Sequence, residues 1–359
     1  MSDKEYQKSV LLLDSIFDLV TVDDVLAYLV RNTKQKNKII ISTVNLNFLR
    51  IAKSNVEFRQ TIFSSNICTI DGSPVAFLLR AIGIKRANRA TGADLLARII
   101  SYDFNIARRY KIYIFGGTSD AAKLASEKIG RLSLYAECVG HRNPGHGTVE
   151  ELSKLEYFDE IKELAPDFLI ISLGAEKGQA WISKNFELLP NCAISHLGAA
   201  INFIAGSVKR APRAFQALGL EWVWRIYQEP VLFKRYASDA AFLIQYLIPS
   251  AIGSYLRERR YRQIANVCSP VSVRNSETKT LSLHGDWLKD TIPSTNDFIN
   301  KSYEMDRLDL LRIGHIDAYG IGLILRARNF TGGVILIAKD NPSINIFQNS
   351  VPVGMLYIA

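Results

Sequence analysis

The sequence predicts an α/β protein: a doubly wound, mostly parallel, Rossmann-like sheet, followed by a basic helical appendage and a small second α/β unit. Three observations carry the prediction. Between Lys38 and Leu197, short runs rich in β-branched residues alternate with glycine-bearing turns and helix-type segments, the pattern of parallel strands joined by crossover helices. At Gly206 the composition turns basic and aromatic. Beyond a polar, Ser-rich stretch, strand and helix patterns resume at Thr280. The expected division is a core over 1–205, an appendage over 206–265, a linker over 266–279 and a binding domain over 280–359.

Length and composition set the bounds. A chain of 359 residues is expected to form two or three domains, and its 48% hydrophobic content suits a packed core rather than a disordered coil. The net charge of +9 points to a polyanionic partner: nucleic acid, an anionic lipid surface or a phosphorylated substrate. Cys68, Cys138, Cys192 and Cys268 are scattered without a CxxC pair. That argues against a zinc site or a disulfide framework and for free thiols in a reducing cytoplasm. The polar first residues do not read as a signal peptide. No run reaches the ~18 uncharged apolar residues of a spanning helix. Ala240–Tyr255 comes nearest, but it holds Pro249 and runs into Arg257, Arg259, Arg260 and Arg262. It reads as a membrane-surface element.

In chain order, residues 9–31 read as a helical region around Asp14, Asp23 and Asp24. Lys38–Val44 reads as a buried strand. Thr43 and Asn45 fall at its carboxyl end, where open α/β sheets bind ligands, and Asn45 equally suits the cap of a helix over Phe48–Gln60. Ile67–Ile70 is a further short strand, ending in Asp71-Gly72. A carboxylate placed there is either a reactive group or a helix cap, and the local sequence admits both. The basic and hydroxyl residues of Arg89-Ala90-Thr91-Gly92-Ala93-Asp94 suit a nearby anion.

Lys111–Thr118 reads as a strand running into Gly116-Gly117, ahead of a helix over Ala121–Ile129. Glycines at a helix N-terminus make an anion site of backbone N–H groups, although this one is neither GxGxxG nor a P-loop. Leu134–Val139 is expected as a strand before the Gly140–Gly147 loop, whose His141 and His146 read as solvated rather than metal-bound. Phe168–Leu173 and Cys192–Leu197 complete the strands, with polar turns after them at Gly174–Trp181 and Gly198–Asn202.

From Gly206 to Tyr236, arginine, lysine and aromatic residues interleave, with Trp222, Trp224, Arg225 and Tyr227 close together. Such a stretch suits single-stranded nucleic acid, a diphosphate or a lipid headgroup layer. The apolar run that follows favours the membrane surface. In the tail, strands are expected at Thr280–Leu283, Leu308–Ile313, Val334–Ala338 and Met355–Ile358, with helical residues up to Ser302, a polar turn at His315–Gly320 and a helix over Ile321–Arg328. No nucleophile–base pair or metal cluster stands out there, so the tail reads as a binding module.

The ordered set Thr43-x-Asn45, Asp71-Gly72, Arg89-x-Thr91-Gly92-x-Asp94, Gly116-Gly117, Pro166-Asp167, Lys177 with Gln179, Gly198, Arg210-Ala211-Pro212, Gly219-Leu220-Glu221-Trp222 with Arg225, and Glu229-Pro230 before Arg235-Tyr236 resembles the WecG/TagA/CpsF glycosyltransferase family of bacteria, over about residues 10–240. The resemblance implies an inverting transferase that needs neither metal nor cofactor. Such an enzyme moves a sugar (N-acetylmannosamine, its uronate or glucose) from a UDP-sugar to a polyprenyl-diphosphate-linked acceptor in surface or exopolysaccharide synthesis. It implies Asp71 as general base, with Thr43 and Asn45 beside the reacting sugars and Arg89, Thr91 and Asp94 forming the site. Gly116, Gly117, Gly174, Lys177 and Gln179 would face the nucleotide, and Asn202 and Glu221 would join the substrate contacts. Arg210, Arg225 and Arg235 would cover the site and engage diphosphate.

Two segments depart from the family. Where it shows Gly-x-Pro-Lys-Gln-Glu, this chain has Gly174-Ala175-Glu176-Lys177-Gly178-Gln179, and Val231-Leu232 stand where basic residues are common. The tail resembles a STAS-type domain through Leu308-Asp309-Leu310 and the Asp317-x-x-Gly320 turn. Ala318 and Tyr319 replace the serine of that family's switch loop, which implies constitutive protein docking rather than a phosphoserine switch.

The expected partners are a UDP-sugar, a polyprenyl-diphosphate-linked glycan, an anionic membrane surface, a protein bound through 280–359 and a second copy of the chain. Nucleic acid is not among them. The expected location is cytoplasmic, peripheral on the inner face of the bacterial plasma membrane. The competing readings are a basic nucleic-acid-binding protein and a non-catalytic scaffold.

Overall fold

A computed structural model describes residues 9–12, 15–117, 120–261, 269–287, 298, 302, 305–331, 334–337 and 356–358. The chain opens with two short antiparallel strands, β1 (Ser9–Leu12) and β2 (Ser15–Asp18). This corrects the helical reading of 9–31. Helix α1 (Val22–Gln35) begins only after Thr21, which forms a reciprocal capping box with Asp24. Both hairpin strands are buried throughout, so they lack the apolar–polar alternation that separates strand from helix in a sequence.

The alternating units follow as β3 (Ile39–Val44), α2 (Leu46–Ser54), α3 (Val56–Phe63), β4 (Ile67–Ile70), α4 (Ser73–Ala81), α5 (Gly92–Ser101), β5 (Tyr110–Gly116), α6 (Ala121–Leu132), β6 (Ala136–Arg142), α7 (Leu155–Leu164), β7 (Phe168–Ser172), α8 (Ala175–Asn185), β8 (Ala193–His196) and α9 (Ala200–Ala205). The helix expected over Phe48–Gln60 is two helices. Asn55 ends α2 and caps α3, its Oδ1 accepting from the Phe58 N–H at 2.9 Å.

The six strands form one sheet in the order β4-β3-β8-β7-β5-β6, all neighbours parallel. Successive residues alternate between two helical layers. Ile39, Ile41, Ile112, Ile114, Phe168 and Ile170 pack with residues of α1, α5, α6 and α9. Ile40, Tyr113, Phe115, Leu169, Ile171 and Ile194 pack with residues of α7 and α8. Burial on both faces explains why these strands read as continuous apolar runs. Because all six point one way, Thr43, Asp71, Gly116 and Gly174 gather along the same carboxyl edge. The neighbours β5 and β7 send their following helices to opposite faces, which opens a crevice between their ends.

The appendage comprises α10 (Arg213–Ala217), α11 (Glu221–Gln228), α12 (Phe233–Phe242), a π-helical turn over Leu243–Leu247 and α13 (Ile248–Tyr261). The widened turn lies just ahead of Pro249, whose ring would collide with the carbonyl four residues back in a regular α-helix. Phe242, Leu247 and Ala251 are buried with Val10, Val44, Val75 and Leu79 of the core, while Ile244, Tyr246, Ile252, Tyr255 and Leu256 are exposed. The apolar run is thus half core and half surface. Among the described residues no helix is long and apolar enough to cross a membrane. Arg262 lies outside them.

The tail holds a second sheet: β9 (Val271–Asn275), β10 (Thr280–Trp287), β11 (Arg307–Ile316), then helix α14 (Ala318–Thr331), β12 (Val334–Ile337) and β13 (Leu356–Ile358). The order is β13-β12-β11-β10-β9, parallel except for the antiparallel β9. Val271–Asn275, expected as linker, is therefore an edge strand. His315 and Ile316, expected in a turn, end β11, and the helix starts at Ala318. Most of the helical residues expected before Ser302 lie outside the described residues. Helix α14 packs against β1 and β2, so the hairpin is sandwiched between the two sheets.

Candidate active site

Asp71 is the first residue past β4. Its own N–H still donates to the Val44 carbonyl at 2.9 Å, so it is held at the strand end. It does not cap the next helix. Gly72, at φ 112°, is the N-cap of α4, and that cap has no side-chain hydrogen bond. The positive φ, a region that favours glycine, turns the chain into α4 and leaves the Asp71 carboxyl free of it.

The Arg89 segment returns alongside the same strand. Ala90 N–H donates to the Ile70 carbonyl at 2.9 Å, and the Thr69 hydroxyl donates to the Ala90 carbonyl at 2.7 Å. That pairing brings the first turn of α5 to the end of β4. Thr91 caps α5, its hydroxyl accepting from the Asp94 N–H at 3.0 Å and donating to Asp94 Oδ2 at 2.8 Å. The N–H of Gly92, one of the donors a helix start leaves without an intrahelical partner, faces the Asp71 carboxyl and favours its charged form.

Burial pushes the Asp71 pKa up to about 7, and the negative charge of Glu221 adds to the rise, with a smaller contribution from Asp94. Arg89 and the Gly92 N–H oppose it. Arg89 is itself engaged by the appendage, donating to Glu221 at the start of α11 and to the Ser73 hydroxyl at 3.3 Å. Arg210 donates to Asp94, and Arg225 pairs with Glu229 at 2.5 Å while lying over the Phe203 ring. The appendage therefore closes over the strand end through two charged contacts, Glu221 to Arg89 and Arg210 to Asp94.

The other expected site residues fall in three places. Thr43 is buried beneath the Gly92 turn, where a Cβ on Gly92 would stand 3.5 Å from its hydroxyl. Asn45 caps α2, its Oδ1 accepting from the Phe48 N–H at 3.1 Å, and its Cβ borders Gly72. Asn45 is thus a helix cap at the carboxyl end of β3. At the β5–β7 crevice, a Cβ on Gly116 would lie 2.4 Å from the Ser172 carbonyl oxygen, so the close approach of two strands requires that glycine. Gly117 N–H donates to the same carbonyl at 2.8 Å, and Gly174, at φ 84°, opens α8 in free space.

The remaining expected residues have other engagements. Lys177 Nζ donates to the Gly147 carbonyl at 2.6 Å. Gln179 is fully buried, its amide donating to Ser42 at 3.1 Å. The Asn202 carbonyl accepts from the Gly206 and Val208 N–H groups. Arg235 is exposed, with its guanidinium 4.6 Å from the Tyr236 ring centroid.

The sequence matches the Glycosyl transferase WecG/TagA/CpsF family over residues 10–255. The chain belongs to this family. Among its curated relatives is the N-acetylglucosaminyldiphosphoundecaprenol N-acetyl-beta-D-mannosaminyltransferase of Bacillus spizizenii, 24% identical over 226 residues that cover 63% of this chain and 82% of the relative. The Bacillus subtilis protein of that name is 25% identical, covering 59% and 80%. Its Staphylococcus aureus counterpart is 22% identical, covering 53% and 72%. The matched family segment contains the parallel sheet and nearly all of the described appendage, and stops before the second sheet.

In this family member the Gly92 N–H and the Ser73 hydroxyl are contacts that motif reading missed. The signal for Gly92 was its place directly after a threonine cap, where a helix start leaves an N–H unpaired. Ser73 had no signal beyond its nearness to Asp71. Among the described residues no cluster of three or more His, Cys, Asp or Glu is arranged to hold a metal ion.

Proposed function

We propose that this glycosyl transferase moves a sugar from a UDP-sugar to a hydroxyl of a polyprenyl-diphosphate-linked glycan by a single inverting displacement, with Asp71 as general base. The supporting observation is the Asp71 carboxyl, held at the sheet edge with a pKa raised to about 7 and faced by Arg89 and the Gly92 N–H. A base whose pKa lies near the working pH combines a usable ionised fraction with proton affinity. Asp71 takes the acceptor hydroxyl proton as that oxygen bonds to the anomeric carbon. The bond from the anomeric carbon to the UDP oxygen breaks, and UDP leaves with its electron pair. The leaving diphosphate develops charge that arginines and backbone N–H groups can stabilise. Arg89, Arg210 and Arg225 are of that kind.

The names of the relatives favour N-acetylmannosamine as donor sugar and an N-acetylglucosaminyl diphospholipid as acceptor. A membrane-surface encounter with that lipid suits the appendage, where Trp222, Tyr227, Val231 and Phe233 are exposed beside Lys234 and Arg235. The test is a donor screen against a lipid-diphosphate-N-acetylglucosamine analogue, with products read by mass spectrometry and the new linkage by NMR. Transfer from UDP-N-acetylmannosamine with inverted anomeric configuration, undiminished by a chelator, is expected. Retention of configuration, or chelator inhibition reversed by a divalent ion, overturns the mechanism.

A further inference from the structure

Strand β4 carries Asp71 yet is poorly supported by the sheet alone. It has four residues, lies at the sheet edge, pairs with β3 on one side and meets only the Arg89–Ala90 bridge at its far end on the other. Its outer edge is held by a buried polar network. Asp18, at the end of β2, accepts from the Cys68 N–H with Oδ2 at 2.7 Å and from the Ser9 hydroxyl with Oδ1 at 2.6 Å. Arg326 of α14 donates to the same Asp18 Oδ2, and its other terminal nitrogen donates to the Ser65 carbonyl just before β4. Asp18 and Arg326 are 6% and 2% exposed, so the contact is shielded from water. Among the described residues, Tyr28 of α1 and Cys68 of β4 are ionisable groups facing it, and Arg31 of α1 acts on Tyr28.

We propose that Arg326 is a positioning residue for Asp71: from the C-terminal unit it anchors the root of β4 and so sets where the carboxylate at the far end of that strand stands. The inference rests on the assignment of Asp71 as general base. Cys68 and Asp71 are three residues apart, about 10 Å along an extended strand. A shift of the anchored end is therefore carried to the carboxyl by a stiff element. A buried ion pair adds little net stability over apolar packing of the same volume, but it holds its partners in one geometry. The same helix braces the other wall of the site, because Tyr319 is buried with Phe242, Leu247 and Ala251 of the appendage. The C-terminal unit thus acts as a fixed wall of the transferase through this face of α14.

The experiment compares the full-length wild type with Arg326→Met, Arg326→Lys and the neutral pair Asp18→Asn/Arg326→Gln. Amide exchange is followed over residues 67–72, with β7 as internal reference, and kcat, KM for donor and acceptor, and the pH profile of kcat are measured. In Arg326→Met, exchange over 67–72 is expected to accelerate while β7 holds. The value of kcat should fall by about 10²-fold with KM values little changed, since displacement of about 1 Å costs that much. The limb near pH 7 should move, and Arg326→Lys should recover most of the rate. If Arg326→Met does not fold, the neutral pair, which removes both charges and keeps a polar group on each side, is read for the same changes. A folded variant with wild-type exchange, or with faster exchange and an unchanged kcat and pH limb, overturns the proposal. Absence of transfer by the wild type itself instead sinks the functional reading, and the exchange data then decide the anchor alone.

Discussion

Two aspartates each stand one residue past a parallel strand and just ahead of a helix, Asp71 after β4 and Asp317 after β11. Their sequence settings are alike, and their surroundings are not. Asp317 is buried and its Oδ1 accepts from the N–H groups of Tyr319 and Gly320 at 2.9 Å each, the ordinary work of a helix cap. Asp71 caps nothing, because Gly72 takes the cap position with a positive φ and turns the helix away. Its carboxyl is left among Arg89, Glu221, Asp94 and the Gly92 N–H, which with burial hold its pKa near 7. A strand-end aspartate becomes a candidate base when a glycine relieves it of capping and charged neighbours arrive from elsewhere in the chain.

The widest separation between the two aspartates should appear in turnover. Asp71→Asn is expected to lower kcat by about 10²–10⁴-fold while UDP-sugar binding persists, the usual cost of losing a general base. Asp317→Ala should keep transfer and lose roughly 1 kcal/mol of stability, the cost of a helix cap. Equal turnover losses in the two variants would erase the distinction. Next in size, Arg89→Met should reduce kcat/KM by about 10²-fold by removing a cation from the developing charge. Its loss should also raise the Asp71 pKa and move the ascending pH limb above 7, whereas Glu221→Gln should move it below. Limbs that shift in the opposite sense would show that Asp71 is not the titrating group.

The smallest effect concerns stability. With a folded pKa of about 7 against ~3.9 when unfolded, the folded chain binds an extra proton between those values. The protonated Asp71 carboxyl stabilises the fold at low pH, and this contribution is lost as the pH rises to about 7. Asp71→Asn should therefore melt higher than the wild type at pH 8, by roughly 2–4 °C per kcal/mol relieved, with no gain at pH 4. A scan showing the gain at pH 4 instead would contradict the raised pKa.

Much of the sheet was legible locally. The runs from Lys38 to Leu197 are buried on both faces and bounded by glycines, which fixes strand type and parallel pairing together. The same double burial misled the reading at residues 9–31, where no alternation marks β1 and β2 as strands. A single residue, Asn55, divided the expected helix after Asn45, since its side chain caps the second helix as its backbone ends the first. At the site, Asp71, Arg89 and Arg210 were named from their motifs. The Gly92 N–H and the Arg326–Asp18 anchor were not, because a backbone donor has no residue-type signature and the anchor joins positions far apart in the chain.

The sequence by itself determined the alternation of strand and helix, hence a parallel sheet whose carboxyl edge must gather Thr43, Asp71 and Gly116. That follows from short-range rules, since side-chain periodicity and turn residues act over a few positions. Only the tertiary structure decided what surrounds Asp71. A pKa responds to charge and burial within a few ångströms, and here the deciding neighbours are Arg89, the Gly92 N–H and Asp94 at the start of α5, and Glu221 of the appendage.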